Sequence, residues 1–265
     1  MDAILATYGW DLLILVLAGA LAGLINGVVG SGTLITFPIM LLMGYPPLVA
    51  NVSNNLGLIP GSTAAAWQYR HELWLRRHVV LKMLPLTITG AAAGSLLLLV
   101  LPSEVFSGVV PVLIVAALVV VLAQPFLQRA VRRRTDELSA DGSAPARLGW
   151  PLIIGLPLMG AYGGYFGAAQ GVLLLVILGI VLALPYSHVN GIKNVLAGVA
   201  NLVSGLLFIF IAPDKIDWVI VACIALGSIV GGAGGGRIAQ KLPQSAYRAI
   251  IIVVGLAALW SILSR

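Results

Sequence analysis

The chain has 265 residues, of which 60% are hydrophobic and 9% charged, with a formal net charge of +6, whereas a soluble domain carries about 25% charged residues. That composition excludes a soluble globular domain and marks an integral membrane protein. The basic residues lie between apolar runs, a placement that the positive-inside rule explains better than nucleic-acid binding does. The one cysteine, Cys223, excludes an intrachain disulfide and a cysteine-based metal cluster.

The opening MDAILATYGWD holds two aspartates and no basic residue, so it lacks the positive region of a cleaved signal peptide, and the first apolar segment is expected to remain in the protein. About 20 apolar residues cross a bilayer as a helix. Runs of that kind follow in order: Leu12 to Met43, Leu48 to Gln68, Val79 to Leu101, Val105 to Leu127, Trp150 to Leu184, Ser187 to Ile211, Trp218 to Ala239 and Tyr247 to Leu263. None alternates as the strands of a membrane barrel would, so the predicted class is an all-α polytopic membrane protein. Trp10, Trp74, Trp150, Trp218 and Trp260 fall near segment ends, where interfacial aromatics belong.

One long polar stretch, Gln128 to Arg147, divides the chain, giving a first transmembrane repeat at 1–128, a basic cytoplasmic linker at 129–149 and a second transmembrane repeat at 150–265. The same features recur on both sides. GLINGVVGSGTL from Gly23 resembles GAYGGYFGAAQGV from Gly160, each followed by a proline turn, GYPP and ALPY. NVSNN at Asn51 to Asn55 aligns with NGIKN at Asn190 to Asn194, and GAAAG at Gly90 with GSIVG at Gly227. Internal duplication of this kind is typical of secondary transporters, which bind substrate where the repeats meet.

Leu12 to Met43 and Trp150 to Leu184 are longer than one span needs, and each has glycines at its middle. If each is a broken, re-entrant helix pair followed by three transmembrane helices, the two repeats are inverted. All basic loops then face one side, with only Lys215 and Arg265 on the other. A plain eight-span arrangement has a charge bias only slightly worse; the length and central glycines of the broken segments favour inversion.

Positions three and four apart share a helix face. Asn190, Lys193, Asn194, Asn201 and Ser204 follow that spacing in one half, and Asn51, Asn54, Asn55 and Ser62 in the other. Asparagines in membranes also serve as interhelical glue, worth about 0.6 to 2 kcal/mol per contact, but two stripes at equivalent positions suit a shared cavity. A lysine at the bilayer centre costs at least about 2.5 to 3.5 kcal/mol, and its blander role, snorkelling to the interface, has to cover about five residues from Ser187. No carboxylate falls inside a predicted span, so Lys193 among amides suits an anionic ligand. Helix restarts expected at Gly30 to Thr33 and Gly167 to Gly171 add backbone N–H groups of the same polarity. His188 could titrate near neutral pH, while His71 and His78 read as parts of a basic loop. No metal-ligand spacing, no catalytic triad with an available acid and no phosphate loop occurs.

The glycine cluster opening each half, the asparagine-bearing helix after a proline turn and the mid-chain basic loop resemble the TauE/SafE sulfite exporter family of permeases, over nearly the whole chain. Members often carry a fuller glycine run; here VGSGT and FGAAQG stand in its place, so Thr33 and Gln170 occupy positions commonly held by glycine. The resemblance implies transport of a small sulfur-containing anion such as sulfite or an organosulfonate.

The expected function is therefore export of such an anion across the inner (plasma) membrane by alternating access, without a cofactor. The binding residues expected are Ser31, Thr33, Asn51, Asn54, Asn55, Gln170, Asn190, Lys193, Asn194 and Asn201. The alternatives are an anion channel and, from another class, a membrane-embedded enzyme or insertase. The partners are the sulfur oxyanion, the lipid bilayer and, as an option, a second copy in a homodimer, but no nucleic acid.

Overall fold

The computed structural model describes residues 9–28, 30–140, 149–182, 184–238 and 244–264, with side chains described except at 134–140, 235–238 and 244. The described residues form helices and no strand. They are α1 (Asp11–Val28), α2 (Thr33–Leu42), α3 (Pro47–Trp67), α4 (Arg70–Leu75), α5 (Arg77–Val100), α6 (Ser103–Ala140), α7 (Trp150–Tyr165), α8 (Gln170–Val181), α9 (Tyr186–Ile211), α10 (Trp218–Ile238) and α11 (Gln244–Leu263), with a 3₁₀ turn at Pro213–Lys215. Helices are what a bilayer demands, because every backbone polar group must be satisfied within the chain. Five of the described helices, α1, α5, α6, α9 and α11, are long and apolar enough to cross a membrane by length and composition. Large apolar side chains point outward from them, among them Leu17, Val112, Phe126, Phe210 and Val253.

Each half opens with a broken helix that doubles back. After α1 the chain turns through Gly30, whose φ of +85° favours glycine, and Gly32 comes to lie against Ala22. In the second half Gly167 turns at φ +76°. Gln170 Nε2 then donates to Met159 O at 3.1 Å, and Gly155 packs against Ile177, so α8 runs back along α7. The helix restarts fall at Thr33 and Gln170, within the stretches expected from sequence.

The hairpins are built into each other's halves. α1 packs on α10 and α7 on α5; α2 packs on α11 and α8 on α6; α3 packs on α10 and α9 on α5. Exchanging sequence-equivalent helices between the halves leaves this pattern unchanged. Small residues make the close crossings possible: a Cβ on Gly19 of α1 would stand 2.7 Å from Ile224 O of α10, and one on Gly160 of α7 2.6 Å from Thr87 O of α5. Gly19 faces Ile224 and Gly23 faces Ser228, so α1 and α10 run parallel. By contrast, Gly191, Gly198 and Gly205 of α9 face Tyr69, Ser62 and Leu56 in turn, so α9 runs antiparallel to its counterpart α3.

One apolar core surrounds the first hairpin and takes in the tip of the second, where Phe166 meets Phe37 edge-to-face at 5.1 Å. Another joins α5, α7, α8 and α9. Following the helix directions, Asp11, Glu104, Asp214, Lys215 and Asp217 gather at one end, and Arg70, Arg76, Arg77, Arg132 and Arg248 at the other. The stretch read as a linker begins as helix: α6 continues to Ala140. Residues 129–140 contain neither glycine nor proline, and their arginine, leucine and glutamate are good helix formers. The remainder of that linker, from 141 to 148, lies outside the described residues.

Candidate functional site

Pro46 and Pro185 stand at the N-caps of α3 and α9, where proline's fixed φ and missing N–H cost nothing. They set the register of the two polar stripes, which face inward: Asn51, Asn54, Asn55, Asn190, Lys193, Asn194 and Asn201 are all buried. The stripes meet the hairpin tips where α1 and α7 end, and where last-turn carbonyls lack helical partners.

At the end of α1, three side chains of α9 supply the missing donors. Lys193 Nζ donates to Asn26 O at 3.1 Å. Asn194 Nδ2 donates to Gly27 O at 3.1 Å, and Asn190 Nδ2 to the same carbonyl at 3.2 Å and to Tyr69 Oη at 2.9 Å. The ammonium thus sits at the negative end of the α1 dipole. Lys193 is 0% exposed, and among the described residues no carboxylate is buried. An ammonium has three donors, so two remain beyond the bond to Asn26.

At the end of α7 the counterpart is smaller: Asn51 Nδ2 donates to Tyr165 O at 3.0 Å. Asn54, which aligns with Lys193, turns instead to α2, accepting a hydrogen bond from Thr36 Oγ1 and donating to Thr33 Oγ1 at 3.4 Å. The sequence equivalence of Asn54 and Lys193 is therefore not an equivalence of contacts, because the longer lysine reaches a helix end that the asparagine does not.

The hairpin tips touch. Gly171 N donates to Gly30 O at 3.0 Å, so one N-terminal donor of α8 serves the other tip rather than a ligand. Gly32 N likewise donates to Asn26 Oδ1 at 3.4 Å. Ala169, at the N-cap of α8, holds φ 60° without being a glycine, a conformation that costs about 1 kcal/mol or more and clusters at functional sites.

Of the ten residues expected from sequence, Lys193, Asn190 and Asn194 converge on the end of α1, Asn51 on the end of α7, and Asn54 with Thr33 on the start of α2. Ser31 Oγ, Asn51 Oδ1, Asn55 Oδ1 and Asn190 Oδ1 are buried without a hydrogen-bond partner. Gln170 braces its own hairpin by bonding Met159 O, and Asn201 is buried seven residues, about two turns, beyond Asn194. Asn26 was missed in the sequence although it joins the parts. Its carbonyl takes Lys193, its Oδ1 takes the Gly32 amide, and its Nδ2 donates to Ser62 Oγ at 3.3 Å. The available cue was an amide in the last turn of an apolar segment, directly before the glycines. Tyr69 and Thr36 carried no comparable signal. A cavity of about 210 Å³ between α3 and α9 counts Asn194 and Ser62 among its lining residues.

Comparison with known families matches residues 15–261 to the family described as Sulfite exporter TauE/SafE. Among similar proteins, the "Probable membrane transporter protein" of Haemophilus influenzae is 27% identical over 254 residues, covering 93% of this chain and 92% of the relative. The "Probable membrane transporter protein ORF9" of Sinorhizobium sp is 26% identical, covering 92% and 88%. The "Probable membrane transporter protein YfcA" of Escherichia coli strain K12 is also 26% identical, covering 91% and 85%. No solved structure matches the chain.

Proposed function

The chain belongs to the sulfite exporter TauE/SafE family and is a multi-pass membrane transporter, and from that premise we propose that it exports sulfite or a related small sulfur oxyanion across the plasma membrane. The carrying observation is Lys193, a fully buried lysine at the hairpin tips with no buried carboxylate among the described residues. A dianion there would be met by the two remaining ammonium donors and the Ser31 hydroxyl, whereas the unpartnered atoms of Asn51, Asn55 and Asn190 are Oδ1 acceptors, which would serve a protonated anion or face it only after the amides turn over. Thr33, Asn54, Gln170, Asn194 and Asn201 shape the same region.

Alternating access would rock two inverted halves about the touching tips. Inversion is supported by the antiparallel course of α3 and α9. A cytoplasmic basic end is supported by the segregation of charge between the two ends. An inside-negative potential then drives an anion outward.

The test is binding of sulfite, thiosulfate, sulfoacetate and sulfate to the purified protein, followed by counterflow in proteoliposomes. Saturable exchange of a sulfur oxyanion is expected. Flux without saturation or counterflow would indicate a channel, and failure of every sulfur anion to bind would remove the substrate assignment.

A further inference from the structure

A groove of about 500 Å³ runs along the outside of the bundle between α3, α4, α5 and α9, separate from the tips. Its walls are apolar, formed by Ala66, Leu73, Val80, Leu81 and Val195. Arg70 and Arg77 border it with the apolar parts of their side chains, each beside a tryptophan. The Arg77 guanidinium lies 4.4 Å from the Trp74 ring centroid and that of Arg70 5.6 Å from Trp67. Trp67 and Trp74 are about two-thirds exposed, at 67% and 68%, as rings at a headgroup boundary are. Neither arginine forms an ion pair among the described residues, and Arg70 donates to Trp67 O at 3.4 Å.

An apolar groove bordered by two arginines without an ion pair among the described residues matches an amphiphile with an anionic head. A soluble oxyanion would gain nothing from the apolar length, and a zwitterionic lipid would bring its own cation against two arginines. We propose that this groove seats an anionic phospholipid, its phosphate between Arg70 and Arg77 and one acyl chain along Val80, Leu81 and Val195. The groove shares Thr63, Ala66 and Val195 with the cavity that reaches Asn194 and Ser62. A seated lipid would therefore close the side of the bundle next to the α1 cap, keeping the polar cluster from opening into the membrane.

The full-length protein in neutral detergent would be titrated with phosphatidylglycerol and with phosphatidylcholine, reading retained lipid by native mass spectrometry and the melting temperature in parallel. Wild type should retain phosphatidylglycerol selectively and melt higher with it. Arg70→Gln/Arg77→Gln should weaken that binding about thirtyfold, from roughly fivefold per juxtamembrane charge. Arg129→Gln/Arg133→Gln, which removes the same charge elsewhere, should leave it unchanged. Val195→Phe keeps both arginines but fills the groove, and should also lose the lipid. Equal retention of both lipids by wild type, or undiminished phosphatidylglycerol binding in the Arg70/Arg77 variant, would overturn the proposal. So would stabilisation by phosphate or sulfite alone that disappears in that variant, which would make the arginine pair a soluble-anion site.

Discussion

Gly30 and Gly171 meet backbone to backbone: the Gly171 amide donates to the Gly30 carbonyl at 3.0 Å, and a Cβ on Gly30 would stand 2.7 Å from the Gly171 carbonyl carbon. This contact joins the tips of two helix hairpins that lie 141 residues apart in sequence. It also explains why each broken segment carries glycine at its middle, since any side chain at either position would push the tips apart.

Gly171→Val is accordingly expected to lower thermal stability by about 1–3 kcal/mol, the usual cost of overpacking, and to abolish transport. Gly108→Ala is the control. It lies in α6 with open space around its Cβ, and should be neutral or stabilising by up to about 1 kcal/mol. Melting curves of both variants in one detergent check the contrast, and equal melting temperatures would argue against a tip contact of this tightness.

Asn190 and Asn194 donate to the same carbonyl, Gly27 O, at 3.2 and 3.1 Å. Removing either one leaves the carbonyl satisfied, while removing both leaves it buried and bare, at about 1–3 kcal/mol. Asn190→Ala and Asn194→Ala should therefore combine to more than the sum of their single effects, by at least about 0.5 kcal/mol in a double-mutant cycle. Simple additivity would mean that the two amides do not share that partner.

Arg77 and Ser245 lie at the basic end of the bundle and Asp214 at the acidic end. In a Cys223→Ala background, single cysteines at Arg77 and Ser245 should be labelled only from the cytoplasm, and one at Asp214 only from outside. Labelling of Ser245 from outside while Arg77 reacts from inside is the pattern of eight plain spans and contradicts inverted halves.

Much of this architecture was legible in the sequence because it rests on short-range rules. Apolar length gave the helices, proline turns gave the starts of α3 and α9, and glycine clusters marked the turns at Gly30 and Gly167. The stripe spacing likewise placed nine polar residues of α3 and α9 on buried faces. What was not legible depends on contacts between distant segments. Nothing local says that Lys193 reaches Asn26 O, 167 residues away, or that Gln170 folds back on its own hairpin. The pairing of α1 with α10 and of α7 with α5 across the halves is likewise a property of packed surfaces, which a linear reading does not contain. The stretch read as a basic linker begins as a continuation of α6, because without glycine or proline the chain had nothing to end that helix before Ala140.

The central claim is that the Lys193 ammonium, besides capping α1, binds the transported anion. Lys193→Gln tests it most directly, because glutamine keeps a donor for Asn26 O while removing the charge. Titration of sulfite into the purified variant should show the wild-type fold and melting behaviour, with affinity weakened at least tenfold, or about 1.4 kcal/mol. Wild-type sulfite affinity in a folded Lys193→Gln protein would contradict the account and leave Lys193 as a structural cap alone.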